Sequence, residues 1–150
     1  MSEFAAILLT GGSGRRLGGI NKALLEVAGR SCFNHVLGAL HSAQSVVVVG
    51  ETISHQDPRL MFIQEKPIGS GPVAAISAAL PLVITKYVAV VSVDVPLVMG
   101  AFEELISAWS PTDVALVASD GINESYLVSL FDTDALRGAI AELSTTNNAS

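Results

Sequence analysis

Apolar residues come in short unbroken blocks along this chain, separated by polar and glycine-rich segments. Phe4 to Leu9 is the first block, and it stops at Thr10-Gly11-Gly12. Ser45 to Val49, Leu60 to Ile63, Tyr87 to Val93 and Val114 to Val117 follow it. None alternates cleanly with polar residues. Short runs rich in Val and Ile, with no polar face, predict strands buried on both sides, as in a parallel sheet. Tyr126 to Phe131 reads as a further, weaker strand.

Helical stretches lie between these blocks: Cys32 to Ala43, Val73 to Leu80 and Ala101 to Trp109. A last helix is expected from Thr133 to Leu143, with Thr133 or Asp132 as its N-cap. Strands alternating with helices predict an α/β protein, a three-layer Rossmann-like sandwich around a mostly parallel central sheet. Residues 144–150 are polar and are expected to fray. No repeat or linker divides the chain, so a single domain over residues 1–143 with a polar tail is expected.

Composition narrows the partners. Half of the 150 residues are hydrophobic and 15% are charged, which is ample material for one core. The net charge of −6 gives no chain-wide electrostatic footprint for nucleic acid. Cys32 is the only cysteine, which excludes an intrachain disulfide and a multi-cysteine zinc site. Glu3 stands where a secretory signal would be basic, and the apolar runs fall well below the roughly 18 residues of a membrane span. A cytoplasmic protein without membrane contact is expected.

In open α/β sheets, ligands bind beyond the carboxyl ends of the strands. That rule points to Thr10 to Lys22, Gly50-Glu51, Gln64-Glu65, Asp94 and Ser119-Asp120. The first segment is the richest in chemistry. Gly11 and Gly12 allow a base or phosphate to approach the backbone closely. Arg15, Arg16 and Lys22 concentrate three positive charges in an acidic protein, as a triphosphate requires. The plainer alternative is a glycine turn whose cations face water. A P-loop is excluded, because Ile20 and Asn21 separate the last Gly from Lys22, and Ala23 follows it. A dinucleotide fingerprint starting at Gly12 and Gly14 lacks its third Gly, where Leu17 stands, and its acid about 20 residues on.

The stretch "LTGGSGRRLGGINKALLEVAGR", Leu9 to Arg30, resembles the opening signature of the nucleotidyltransferase superfamily. With "FNHVLGAL" after it, the stretch is most similar to the molybdenum cofactor guanylyltransferase (MobA-like) family. The related cytidylyltransferases tend to have Ala before a single Gly, so Gly11-Gly12 favours guanine. "FIQEKPIGSGPVAAISAAL" resembles the family's acidic residue and GPLAG helix start, with Glu65 at the acidic position and Gly71-Pro72 opening the helix. "VSVDVPLV" resembles its C-D-x-P segment, giving Asp94, and "ASDGINESY" a later H-D-G segment. The likeness runs from about Phe4 to about Leu143. Asn21 stands where the family usually has Asp, and Ser119 where it often has His. Less chain follows Leu143 than the family usually carries.

The resemblance implies a nucleotide-diphospho-sugar transferase-like fold and an enzyme that joins GMP from GTP to molybdopterin, a pterin phosphate acceptor, with release of pyrophosphate. It implies nucleotide contacts from Leu9, Thr10, Gly11, Gly12, Ser13, Arg16, Lys22, Glu65, Gly71 and Asp94. Arg16 and Lys22 take the catalytic role of stabilising the leaving pyrophosphate, and Asp94 holds Mg²⁺ as cofactor, a cation that commonly takes one or two carboxylates plus substrate phosphates. The bland reading of Asp94 is a turn cap, and that of Glu65 an exposed strand-end acid. The resemblance leaves open contact with other proteins of molybdenum cofactor synthesis. Two alternatives stand beside it: a non-catalytic nucleotide-binding descendant, and a nucleotidyltransferase for a sugar phosphate, terpenoid phosphate or phospholactate. His35, between apolar neighbours in a helix, is expected to be structural, while His41 and His55 read as surface residues.

Overall fold

The apolar blocks at Phe4–Leu9, Val46–Val49 and Tyr87–Ser92 become strands because both of their faces find cover, whereas Leu60–Ile63 at an edge of the sheet is only partly buried. The computed structural model describes residues 3–10, 16–17, 20–67, 70–93, 101–119 and 124–149. Along the chain come β1 (Phe4–Leu9), then two short ribbons, β2 (Arg16–Leu17) with β3 (Ile20–Asn21) and β4 (Glu26–Val27) with β5 (Arg30–Ser31). The helix α1 (Cys32–Ala39), β6 (Val46–Val49), β7 (Leu60–Ile63), α2 (Pro72–Ala79) and β8 (Tyr87–Ser92) follow. The chain continues with α3 (Ala101–Ala108), β9 (Ala115–Ser119), β10 (Glu124–Asp132) and α4 (Thr133–Ala149).

Six strands form one sheet in the order β7-β6-β1-β8-β10-β9. The first four run parallel, while β10 is antiparallel to both β8 and β9. The sheet is therefore mostly parallel, as the apolar blocks predict. Successive residues of β1 point to opposite faces. Phe4, Ala6 and Leu8 pack with Phe33, Val36 and Leu40 around α1 and with Phe102 and Leu105 of α3. Ala5, Ile7 and Leu9 pack on the other face with Ala75, Ile76 and Ala79 of α2 and Leu136 and Ile140 of α4. The two-sided cover has a topological cause. The chain crosses the sheet one way from β1 through α1 to β6, and the opposite way from β7 through α2 to β8. Right-handed crossovers then put the two helices on opposite faces.

Several boundaries differ from expectation, three of them for a visible reason. The first helix stops at Ala39 rather than Ala43. The Leu40 N–H is shared between the carbonyls of Val36 and Leu37, which tightens the last turn, and Gln44 already donates to the carbonyl of Phe4 at 2.9 Å. Pairing with β1 thus ends the helix. At the other end of the chain, α4 runs on to Ala149, since residues 144–149 contain neither Gly nor Pro to break it. Its N-cap is Asp132, whose Oδ1 accepts the Ala135 N–H at 3.0 Å. The weak strand expected from Tyr126 begins earlier, at Glu124, because it is sandwiched between two neighbours. His35 is buried and pairs with the carbonyl of Val27, the structural role expected of it.

Arg59 ties the end of α1 to the start of β7. Its Nη1 donates to the carbonyls of Leu40 and Ala43, each at 2.9 Å. Its other nitrogens hold Asp57, with Nη2 2.8 Å from Oδ2. Hydrogen bonding to Arg59 lowers the Asp57 carboxyl from 3.8 to about 2. A carboxyl whose folded pKa is depressed stabilises the fold at pH above its unfolded pKa. That contribution is lost as pH falls from about 5 through about 2. With both side chains partly exposed, Asp57→Asn is expected to cost about 1–2 kcal/mol at pH 7 and to flatten the stability profile in this acid window. Urea melts of both proteins at neutral pH and at pH 3 measure it.

Candidate active site

Because β7, β6, β1 and β8 are parallel, their carboxyl ends share one edge of the sheet. Leu9 lies in register with Val49 on one side and with Ser92 on the other, and Val49 pairs with Ile63. The ladder continues one residue further. Thr10 donates its N–H to the Val49 carbonyl at 3.1 Å, Gly50 to that of Ile63 at 2.8 Å, and Val93 to that of Leu9 at 3.0 Å. Strand order reverses between β1 and β8, since the chain builds outward from β1 through β6 to β7 and then returns to β1's other side. Such a switch point opens the crevice in which α/β sheets take ligands.

The segments with the most chemistry follow in sequence the ends of β1 and β8, the two strands at that crevice. Gly11, Gly12 and Ser13 follow Thr10 in sequence, and Asp94 follows Val93; these four lie outside the described residues. Leu9 and Thr10 are described, and both are committed to the sheet. Leu9 is buried and its carbonyl accepts from Val93. Thr10 is 1% exposed, and its hydroxyl donates to the Val49 carbonyl at 3.2 Å. Beyond the glycines the chain folds back on itself. Arg16 pairs with Asn21 across the β2–β3 ribbon, which brings the backbone of Arg16 beside that of Lys22. The side chains of Arg16 and Lys22 lie outside the described residues. What reads in sequence as one extended loop is therefore a loop with a short ribbon in it.

Glu65 lies two residues beyond the end of β7 and is 4% exposed, buried where an exposed acid was one expectation. A carboxylate taken from water needs hydrogen bonds or a cation. Two inter-strand steps separate β7 from β1, so the end of β7 lies about 10 Å along the edge from the end of β1. Gly71 is the N-cap of α2 with φ 97° and ψ 176°. A Cβ there would meet nothing within 4 Å, so the demand for glycine is conformational and not steric. This backbone region is nearly restricted to glycine. Gly71→Ala is expected to destabilise the fold by about 1–3 kcal/mol, readable as a lowered urea midpoint at unchanged slope.

One feature of this edge is not signalled by the apolar pattern. A cavity of about 540 Å³ opens between the segment after β7, at Gln64, Lys66 and Ser70, and one side of α2, at Val73, Ala74 and Ser77. Its only sequence signal is polar: a lysine and a serine ahead of a helix opened by Gly-Pro. Among the described residues no three His, Cys, Asp or Glu gather into a metal-holding group, and no helix is long and apolar enough to cross a membrane.

Solved structures share this architecture. Molybdopterin-guanine dinucleotide biosynthesis protein A from Archaeoglobus fulgidus aligns with a TM-score of 0.59 at 25% identity, over 92% of this chain and 73% of that one. The 2-C-methyl-D-erythritol 4-phosphate cytidylyltransferase from Thermus thermophilus has the same fold, with a TM-score of 0.66 at 21% identity, over 95% of this chain and 77% of that one. This chain thus shares the fold of nucleotidyltransferases. The molybdenum cofactor guanylyltransferase of Serratia proteamaculans (strain 568) is 27% identical over 135 residues, covering 87% of this chain and 68% of its own length. This chain spans about two thirds of the length of the curated relatives it matches. Residues 6–150 match the family model of the MobA-like NTP transferase domain, and the chain belongs to that family.

Proposed function

We propose that this domain, over residues 1–143, transfers GMP from GTP to the phosphate of molybdopterin and releases pyrophosphate in the cytoplasm. The observation that carries the reading is the switch point between β1 and β8, from which a Gly-, Arg- and Lys-bearing loop and an aspartate both depart. A phosphate oxygen of the acceptor attacks the α-phosphorus of GTP, and the bond from that phosphorus to the bridging oxygen of the β-phosphate breaks. This oxygen leaves with the pyrophosphate. The attacking phosphate is already ionised at neutral pH, so no histidine base is needed. Such chemistry runs on positioning and charge neutralisation.

Arg16 and Lys22 neutralise the charge that grows on the leaving pyrophosphate, Arg16 through a fork of N–H donors and Lys22 as a point charge. With the Leu9 carbonyl and the Thr10 N–H and hydroxyl used inside the sheet, reading of the guanine edge falls to the backbone of Gly11 and Gly12. Ser13, Glu65 and Gly71 complete the nucleotide contacts. The donor set suits Mg²⁺, because Asp94 follows Val93 directly at the switch point and this ion needs only one or two carboxylates beside substrate phosphates. Bound there, Mg²⁺ supplies positive charge against the phosphate oxygens.

Base choice tests the reading. A backbone that hydrogen-bonds one base edge leaves groups unpaired with the wrong base, at about 1–3 kcal/mol per loss. GTP is therefore expected to bind roughly five- to a hundredfold more tightly than CTP or ATP in calorimetric titrations with Mg²⁺. Equal affinities would remove guanine and leave a phosphate site alone.

A further inference from the structure

The β4–β5 ribbon contributes no residue to the core on either face of the sheet, yet both of its arms are tied to α1. Glu26, Val27, Ala28, Gly29 and Arg30 are all exposed. On the second arm, Arg30 donates from Nη2 to the Asn34 carbonyl at 2.9 Å. On the first, the Val27 carbonyl pairs with Nε2 of His35, a side chain that is itself buried. A carbonyl only accepts, so this nitrogen carries the proton. Burying an imidazole in α1 costs desolvation that an apolar residue would not, and the bond to Val27 offsets it.

The ribbon is the far end of a segment that begins at Lys22. One turn of 3₁₀ helix spans Lys22–Leu24, and three alternate residues beyond Lys22 then meet the start of α1. Ala23 is fully buried, in one core with Cys32, Phe33 and Val36. The Leu25 carbonyl accepts the Cys32 N–H at 2.8 Å. The Val27 carbonyl accepts from His35. The backbone that leads away from Lys22 is thus laid along α1. Of the three ties, the one at Val27 is made by a helix side chain, so a substitution can remove it and leave the backbone bond at Leu25 in place.

We infer that His35 is a positioning residue for the transfer reaction: by holding the Val27 carbonyl it fixes the segment from Lys22 to Val27 against α1, and so fixes where Lys22 acts. This rests on the role proposed for Lys22. That role is exacting, because a misplacement of about 1 Å can cost roughly a hundredfold in rate. Without His35 the Val27 carbonyl turns to water, which the exposed ribbon allows. The segment then gains freedom at the end opposite Ala23, while the core around Ala23 stays packed.

Kinetics of the whole chain with GTP, molybdopterin and Mg²⁺ test it. His35→Leu is expected to lower kcat about tenfold, with the KM for GTP within about twofold of wild type. In a Lys22→Ala background there is nothing left to position, so the same change should cost less than about twofold. His35→Gln, whose amide N–H reaches the place of Nε2, should restore most of the rate, and the shorter His35→Asn should not. Amide hydrogen exchange reads the tie without turnover: the Cys32 N–H, bonded to Leu25, should exchange about tenfold faster in His35→Leu. The inference is overturned if kcat is unchanged and only the urea midpoint falls, if the rate loss is the same factor in both backgrounds, or if Cys32 exchanges as slowly as in wild type. Should His35→Leu fail to fold, His35→Gln and His35→Asn carry the test, and equal rates for the two overturn it. A silent Lys22→Ala, with Cys32 exchange raised as expected, would instead count against the proposed function; the tie would stand and the positioning role would fall with that reading.

Discussion

Lys22→Ala and Arg16→Ala are each expected to slow GMP transfer by tens- to thousandsfold, about 2–4 kcal/mol of lost transition-state stabilisation. The loss is predicted mainly in kcat, because the charge these residues oppose grows as pyrophosphate departs and is weaker in bound GTP. The backbone pairing of Arg16 with Asn21 puts the two cations' chain segments side by side, so the double variant should lose less than the product of the single losses. Melting temperatures should stay close to wild type, since neither cation is the kind of side chain that builds an apolar core. A strong drop in melting temperature, with GTP affinity and rate unchanged, would make the loop a structural turn.

The second large effect is expected at Asp94. Asp94→Asn should keep the fold and abolish Mg²⁺-dependent turnover, because an amide cannot supply the negative charge that Mg²⁺ needs from its ligand. Metal-free nucleotide binding should survive or improve, with one negative charge fewer near the phosphates. The contrasting reading has Asp94 only capping a turn. Asn is itself a good cap, and the variant would then behave like wild type. Pyrophosphate release measured across a Mg²⁺ series for both proteins decides between them.

The fold was legible where burial is symmetrical. Val46 to Val49 and Tyr87 to Ser92 carry no polar face, and the structure covers both faces of each, one with α1 and α3 and the other with α2 and α4. Their parallel pairing follows from the same cause. Less legible was β10, whose antiparallel place between β8 and β9 is a matter of topology that no local pattern encodes. The end of α1 was also hidden, because the pairing of Gln44 with Phe4, a contact of 40 residues' separation, overrides the helical spacing that runs to Ala43.

The site divides in a similar way. Strand ends could be read directly, so the apolar blocks alone point to Thr10, Gln64-Glu65 and Asp94, the last outside the described residues, and the likeness of its helix start to the family's points to Gly71. That the Leu9 carbonyl and the Thr10 N–H and hydroxyl are hydrogen-bonded within the sheet could not be read, since such bonds depend on which strand lies alongside. The cavity at Lys66 was invisible for a related reason. Its walls come from a strand end and a helix flank that meet only in three dimensions, and Val73, Ala74 and Ser77 carry no charge to mark them.

The most direct test of the central claim is a single-turnover assay of this chain with GTP labelled at the α-phosphate, molybdopterin and Mg²⁺, followed by separation of the pterin product. The account predicts that label appears on the pterin in amounts equal to the pyrophosphate released, that CTP in place of GTP gives far less, and that Lys22→Ala gives far less still. Pyrophosphate release at the same rate without molybdopterin, or no labelled pterin from a chain that binds GTP tightly, would contradict it.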